Sequence, residues 1–317
     1  MADDVVLRPV DTTGEDDIRT AYAIVRECET RGGGYSDSTL ESVRAQLTGP
    51  DAVPSAHRMA LVDGTPCGLL IVERSQGSSE VFVDAYGVGT VGGVVEATLI
   101  EDGLNQVRAM PGVLRVEAGA YGSDDRYPGV LQSFGFTAVR RFWRMRQDLV
   151  GVSSDAPPPP PGVTVRVVED EQDWRLLHAM RELTFADHYG NEVRTFEHYV
   201  DVLTSAAGTD PAGLWLVLVD GEPAGLCVVD DSHAEFDEGY VRTLGVAPSA
   251  RGRGIARWLL ARAAAYAVAR GRVAIALTVD GENTTGATRL YLSAGYEVRE
   301  VIDLYEFLLA DASADSR

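Results

Sequence analysis

Between Val246 and the Ala-rich stretch that follows it the chain reads Ala247-Pro248-Ser249-Ala250-Arg251-Gly252-Arg253-Gly254-Ile255-Ala256. The residues before this segment, Glu238 to Val246, read as a strand, and those from Gly252 to Arg270 as a helix rich in Ala and Leu. A strand that turns into a helix within so few residues uses Gly252 and Gly254 to bend tightly and to let a ligand approach the backbone. The free N–H groups and positive dipole of the helix start favour an anion there, such as a pyrophosphate. A Gly-x-Gly pair also occurs in ordinary strand-to-helix loops, so the surroundings decide.

Downstream, Val273 to Val279 is a β-branched strand, Thr284 to Ser293 a helix, and Tyr296 to Leu309 a closing strand pair. Upstream, Trp174 to Phe185 is helical, and Asp220-Gly221 between two apolar runs marks an antiparallel hairpin. The order predicts an α/β unit on a mixed sheet. The first half repeats the plan. Leu61 to Gly68 answers Leu218 to Gly225, Ala85-Tyr86-Gly87-Val88 answers Thr243-Leu244-Gly245-Val246, and Phe134-Gly135-Phe136 answers Ala294-Gly295-Tyr296. Pro157 to Pro161 can only be an extended spacer. The expected organisation is therefore two tandem domains, 1–150 and 163–309, joined by a Pro-rich linker over 151–162 and followed by an acidic tail over 310–317.

Composition narrows the chemistry. The 317 residues are 45% hydrophobic, enough for two cores, and the formal charge of −20 disfavours nucleic acid and anionic lipid. All 28 basic residues are Arg, which excludes Lys general bases, Schiff bases and P-loop lysines. Cys28, Cys67 and Cys227 are widely spaced and have no partnering His cluster, so neither a metal site nor a disulfide framework is expected. An acidic N-terminus and the lack of a long apolar run predict a soluble cytoplasmic chain.

The pattern Leu244-Gly245-Val246-x-Pro248-x-x-Arg251-Gly252-x-Gly254-Ile255-Ala256, with Val279-x-x-x-Asn283 and Leu290-Tyr291-x-x-x-Gly295-Tyr296, closely resembles the GCN5-related N-acetyltransferase (GNAT) superfamily. Together with the duplication, Phe185-Ala186-Asp187-His188-Tyr189-Gly190 is similar to tandem actinobacterial acetyltransferases related to mycothiol synthase. The resemblance implies that each domain is a mostly antiparallel, splayed sheet flanked by helices, and that the strands Glu238 to Val246 and Val273 to Val279 splay apart and admit the pantetheine arm of acetyl-CoA or another acyl-CoA. It implies a cofactor site of Leu244, Val246, Arg251, Gly252, Arg253, Gly254, Ile255, Ala256 and Asn283, with the Leu244 N–H facing the thioester carbonyl. Tyr291 takes the position of the general acid for the leaving thiolate.

Each role has a plain alternative. Tyr291 can be a core aromatic, and Asn283 a helix N-cap. The position where many relatives carry an acidic base holds Tyr240. Glu238, on the same face, is the candidate base through a water, with Asp237, Asp187 and His188 as competitors. In the first copy Gly89 to Val95 lacks the Arg-x-x-Gly pattern and Leu131 replaces Tyr291, which predicts a structural or acceptor-shaping domain. The expected activity is transfer of acetyl from acetyl-CoA to a primary amine of a small molecule by a monomer or homodimer. The alternatives are a non-catalytic acyl-CoA-binding or regulatory protein and a protein N-acetyltransferase, because the fold hosts both. The net charge favours cationic acceptors.

Overall fold

A computed structural model describes residues 4–309 except Tyr35, Asp37, Asp187, 190–192, Ala207 and 283–285. The chain forms two compact units, one holding the chain through Phe142 and the segment from Glu300, the other running Trp143–Arg299. The elements are β1 (Val5–Pro9), α1 (Glu15–Gly33), α2 (Leu40–Thr48), β2 (Arg58–Val62), β3 (Thr65–Glu73), β4 (Glu80–Gly87), α3 (Gly92–Arg108), β5 (Arg115–Tyr121), α4 (Tyr127–Ser133) and β6 (Thr137–Asp148). They continue as β7 (Val163–Val167), α5 (Glu171–Phe185), α6 (Phe196–Ser205), β8 (Leu214–Val219), β9 (Glu222–Asp230), β10 (Glu238–Val246), α7 (Ile255–Ala269), β11 (Ala274–Asp280), α8 (Ala287–Ser293) and β12 (Glu297–Leu308).

The duplication is visible in the sheets. Strand order is β1-β2-β3-β4-β5-β12 in the first unit and β6-β11-β10-β9-β8-β7 in the second. Asp63-Gly64 and Asp220-Gly221 both lie in the left-handed region (φ 50° and 75°, 53° and 88°), the turn that matches the twist of a two-residue hairpin. Helix starts are fixed locally: the Asp170 side chain accepts from Asp173 N, and that of Thr195 from His198 N.

In the second unit, alternating residues of β9 divide between two cores. Cys227 and Val229 pack beneath α7 and α8 with Leu259, Ala263 and Tyr291. Leu226 and Val228 pack against Leu177 of α5 and Tyr199 and Leu203 of α6. At about 25 cal/mol per Å² of apolar surface, burial on both faces is the main term holding the unit together.

Two expectations are corrected. The closing strand pair is one strand, β12, which pairs antiparallel with β5 from Ile302 opposite Tyr121 to Leu308 opposite Arg115. It thereby completes the first unit's sheet, while β6 from Trp143 onward stands beside β11 in the second. The units divide at 142/143 and 299/300, where the sequence reading set bounds at 150 and 163. The proline segment lies within the second unit rather than between the two, and the Trp258 indole N–H donates to Pro157 O (2.9 Å). Among the described residues no helix is long and apolar enough to cross a membrane. No group of three or more of their His, Cys, Asp or Glu side chains could hold a metal. The tail over 310–317 lies outside the described residues.

Candidate active site

Strands β10 and β11 run parallel and pair only over Glu238–Ala274, Gly239–Ile275 and Tyr240–Ala276. Both continue beyond that point, β10 to Val246 and β11 to Asp280, so the strands open into a wedge whose facing backbone edges lack a partner strand. The Ala247 N–H donates to Ala224 O (2.8 Å), extending the β10–β9 ladder. Since successive N–H groups of a strand point to opposite sides, Gly245 also faces β9, while Val246 and Leu244 turn their N–H groups into the wedge. Leu244 stands opposite Cys227 in β9.

Beyond the strand, Pro248–Ala250 makes one tight turn, and Gly252 and Gly254 adopt φ of 78° and 77° before α7 begins. Among the described residues none accepts from the N–H groups of Gly252, Arg253, Gly254, Ile255 or Ala256. Unpaired N–H groups at the start of a fifteen-residue helix are donors of the kind that can take an anion. The arginines frame it through their own bonds. Arg251 Nε donates to Val246 O (3.1 Å), Arg253 to Pro161 O (3.4 Å), and Arg257 to Ser293 Oγ (2.5 Å).

Tyr291, on α8, is 9% exposed and packs edge-on to Tyr296 at 6.1 Å. It belongs to the core that contains Cys227, which brings it to the register of Leu244. No partner for its hydroxyl exists among the described residues. Burial, and to a smaller degree the Cys227 thiol, pushes its pKa up to about 12, so it holds its proton at neutral pH.

The base candidates separate. Glu238 lies at the paired, closed end of the wedge, bound to Arg146, with His233 Nδ1 3.9 Å from its carboxylate. Burial alone would raise its pKa, but hydrogen bonds from His233 and Arg146 outweigh that and hold it low. At about 3.3 Å per residue it is roughly 20 Å up the strand from Leu244, too far to touch an amine at that N–H. Asp237 sits in a left-handed turn, and His188 packs on Phe185 at 4.5 Å. Asp187 and Asn283 lie outside the described residues. Tyr240 donates its hydroxyl to Thr278 Oγ1 across the wedge (3.1 Å).

The first unit has the same wedge, with β4 and β5 pairing only from Glu80–Arg115 to Phe82–Glu117. There Val88 N donates to Cys67 O (2.9 Å), so Ala85 matches Leu244, one place away from the alignment read in the sequence. The extra residue is a bulge in β10 between Val241 and Thr243 that β4 lacks. The Ala85 N–H is occupied: it donates to the Tyr127 hydroxyl (3.2 Å). The mouth is filled as well. Arg126 donates to Gly87 O (2.6 Å) and to Glu96 Oε1 (2.7 Å), and Arg31 to Gly87 O (2.8 Å). The Arg126 guanidinium lies where a Cβ at Gly92, the first residue of α3, would meet it at 2.5 Å. Leu131, at the place of Tyr291, is fully buried.

Comparison with known proteins agrees with this geometry. The model of the acetyltransferase (GNAT) family matches residues 177–296. A mycothiol acetyltransferase from Beutenbergia cavernae is 31% identical over 264 residues, 78% of this chain and 86% of the relative. One from Streptomyces coelicolor is 26% identical over 289 residues, 89% of each chain. A GCN5-related N-acetyltransferase from Sphaerobacter thermophilus shares the fold with a TM-score of 0.76 at 23% identity, over 96% of this chain and 95% of that one. A tandem GNAT protein from the clavulanic acid biosynthesis pathway does so with a TM-score of 0.73 at 13% identity, over 98% and 100%. With the splayed wedge, the glycine-bent helix start and a relative matched over most of its length, the chain is a tandem member of the GCN5-related N-acetyltransferase family and an acetyltransferase.

Proposed function

We propose that the second unit transfers an acetyl group from acetyl-CoA to the primary amine of a small molecule by direct attack, and that the first unit takes no cofactor. The contrast between the two wedges carries this reading: the Leu244 N–H faces an open gap, whereas its counterpart at Ala85 is capped by Tyr127. The pyrophosphate of the cosubstrate fits the N–H groups of Gly252 to Ala256, and its pantetheine arm the open edges at Leu244 and Val246.

In this reading the acceptor amine attacks the thioester carbon, the C–N bond forms and the C–S bond breaks. The Leu244 N–H donates to the carbonyl oxygen as negative charge develops there, an effect worth about 3 kcal/mol for one such donor in a water-poor site. The Tyr291 hydroxyl donates to the departing sulfur. The amine proton leaves through water, since the ionised Glu238 is too distant for direct contact and serves as the anchor of Arg146 at the closed end. The relatives named mycothiol acetyltransferases support a small-molecule acceptor. Thiol release from acetyl-CoA that requires an added amine, with the acetylated amine recovered in equal amount, tests the proposal. Thiol release without dependence on any amine would refute it.

A further inference from the structure

At the bulge of β10 the chain places a cation, although the protein as a whole is strongly acidic. Arg242 Nε donates to Asp230 Oδ2 at 2.5 Å. The Asp230 side chain is 1% exposed and also accepts from Ser232 N (3.0 Å) and Ser232 Oγ (2.6 Å). The carboxylate is thus fixed before it meets the arginine, and it fixes the guanidinium plane in turn. One of the five N–H donors of that plane is used, and no acceptor among the described residues takes the terminal nitrogens. The Arg242 side chain retains 29% exposure.

Its place relative to the wedge follows from alternation. Cys227 and Val229 face the α7 core, and Leu226 and Val228 face α5 and α6, so Asp230 and the arginine bonded to it stand on the α5 side. On the α7 side the wedge is closed by packed side chains, including Tyr291. An acceptor must therefore reach the thioester from the α5 side. Arg242 lies two residues before Leu244, roughly 7 Å along the strand.

Resting on the transfer reading above, we propose that Arg242 receives a carboxylate of the acceptor, so that this enzyme acetylates amino acids or other amines bearing a free carboxylate a few bonds from the amine. A guanidinium held by its Nε and open at its terminal nitrogens offers the fork that binds a carboxylate with two parallel hydrogen bonds. Cationic acceptors without an anionic group, favoured by net charge alone, meet a like charge at this point.

The test measures binding by calorimetry to the full chain loaded with CoA, which cannot react. The probes are matched pairs: glycine and glycinamide, β-alanine and its amide, γ-aminobutyrate and its amide. The carboxylate member of at least one pair should bind about 10-fold or more tightly, and Arg242→Gln should shrink that preference to about 2-fold or less. Arg242→Lys keeps the charge beside Asp230, so it holds the fold if the Gln variant does not, and it should fall between the two. No preference in any pair, or a preference that survives in Arg242→Gln, overturns the proposal. Thiol release from acetyl-CoA with amide members as fast as with carboxylates refutes this site while leaving the transfer reading intact. An Arg242-dependent preference with no thiol release from any probe supports the site and counts against that reading.

Discussion

Replacing Tyr291 by Phe removes one oxygen from a ring that is 9% exposed and leaves its packing against Tyr296 in place. The hydroxyl has no partner among the described residues, so no hydrogen bond is lost and the melting temperature should move by no more than about 2 °C. The size of the rate effect follows from the pKa. Burial lifts it to about 12, while an ordinary thiol lies near about 8.5, so complete proton transfer to a free thiolate is uphill. The hydroxyl then acts mainly as a hydrogen-bond donor to sulfur as charge builds, which puts the loss at the lower end of general-acid effects, about 10²-fold in single-turnover rate. Because the raised pKa keeps Tyr291 protonated, its ionisation should cause no fall in rate between pH 7 and about 10. Acetyl-CoA affinity should stay close to wild type, since the interaction strengthens in the transition state. The assay is rapid-mix thiol release, with an amine found by screening, because slow product release can mask the chemical step. A folded Phe variant with a wild-type single-turnover rate refutes the role and leaves Tyr291 a core aromatic.

Three further outcomes are expected. Gly254→Ala meets no atom within 4 Å of the new Cβ, so its cost is the left-handed backbone alone; that is about 1–2 kcal/mol, seen as a lower denaturation midpoint, together with weaker acetyl-CoA binding. Tyr127→Phe leaves the Ala85 N–H unpaired and should destabilise the first unit by about 1–3 kcal/mol, while single-turnover acetyl transfer stays at the wild-type rate. Burial, and the neighbouring carboxylates Asp84 and Asp51, raise the Glu73 pKa to about 8, and burial raises that of Asp84 to about 7. Groups whose folded pKa lies above the unfolded one give stability that is full in acid and lost as pH rises through the folded value. Melting temperature should therefore fall between about pH 4 and pH 8, and Asp84→Asn with Glu73→Gln should flatten that slope; an unchanged slope would show that these groups are not responsible.

Local signals were legible and long-range ones were not. Asp63-Gly64, Asp220-Gly221 and the Arg251 to Gly254 segment fix backbone conformation within a few residues, so both hairpins and the glycine-bent turn before α7 were legible in the sequence. The allocation of β12 to the first unit depends on pairing Ile302 with Tyr121, far along the chain, and nothing local distinguishes β12 from a strand that closes its own domain. The bulge at Val241–Thr243 shifted the alignment of the two wedges by one residue, since a bulge leaves no compositional mark. The missing Arg-x-x-Gly pattern in the first copy was readable from Gly89 to Val95, but the side chains gathered at that wedge were not. Tyr127, Arg126, Glu96 and Arg31 come together from α4, the residue before it, α3 and α1. Arg242 offered a signal, a lone cation in an apolar strand just before Leu244, whose meaning required the Asp230 contact to be seen.

The asymmetry of the two wedges is tested most directly by calorimetric titration of the full chain with acetyl-CoA, because fragments cut near residue 150 would deprive the first unit of β12 and the second of part of β6. One acetyl-CoA should bind per chain, and Gly254→Glu, which sets bulk and a negative charge against the pyrophosphate, should abolish that binding in a protein that still melts cooperatively. Two acetyl-CoA per chain, or one that persists in folded Gly254→Glu, would contradict the account and place a cofactor in the first unit.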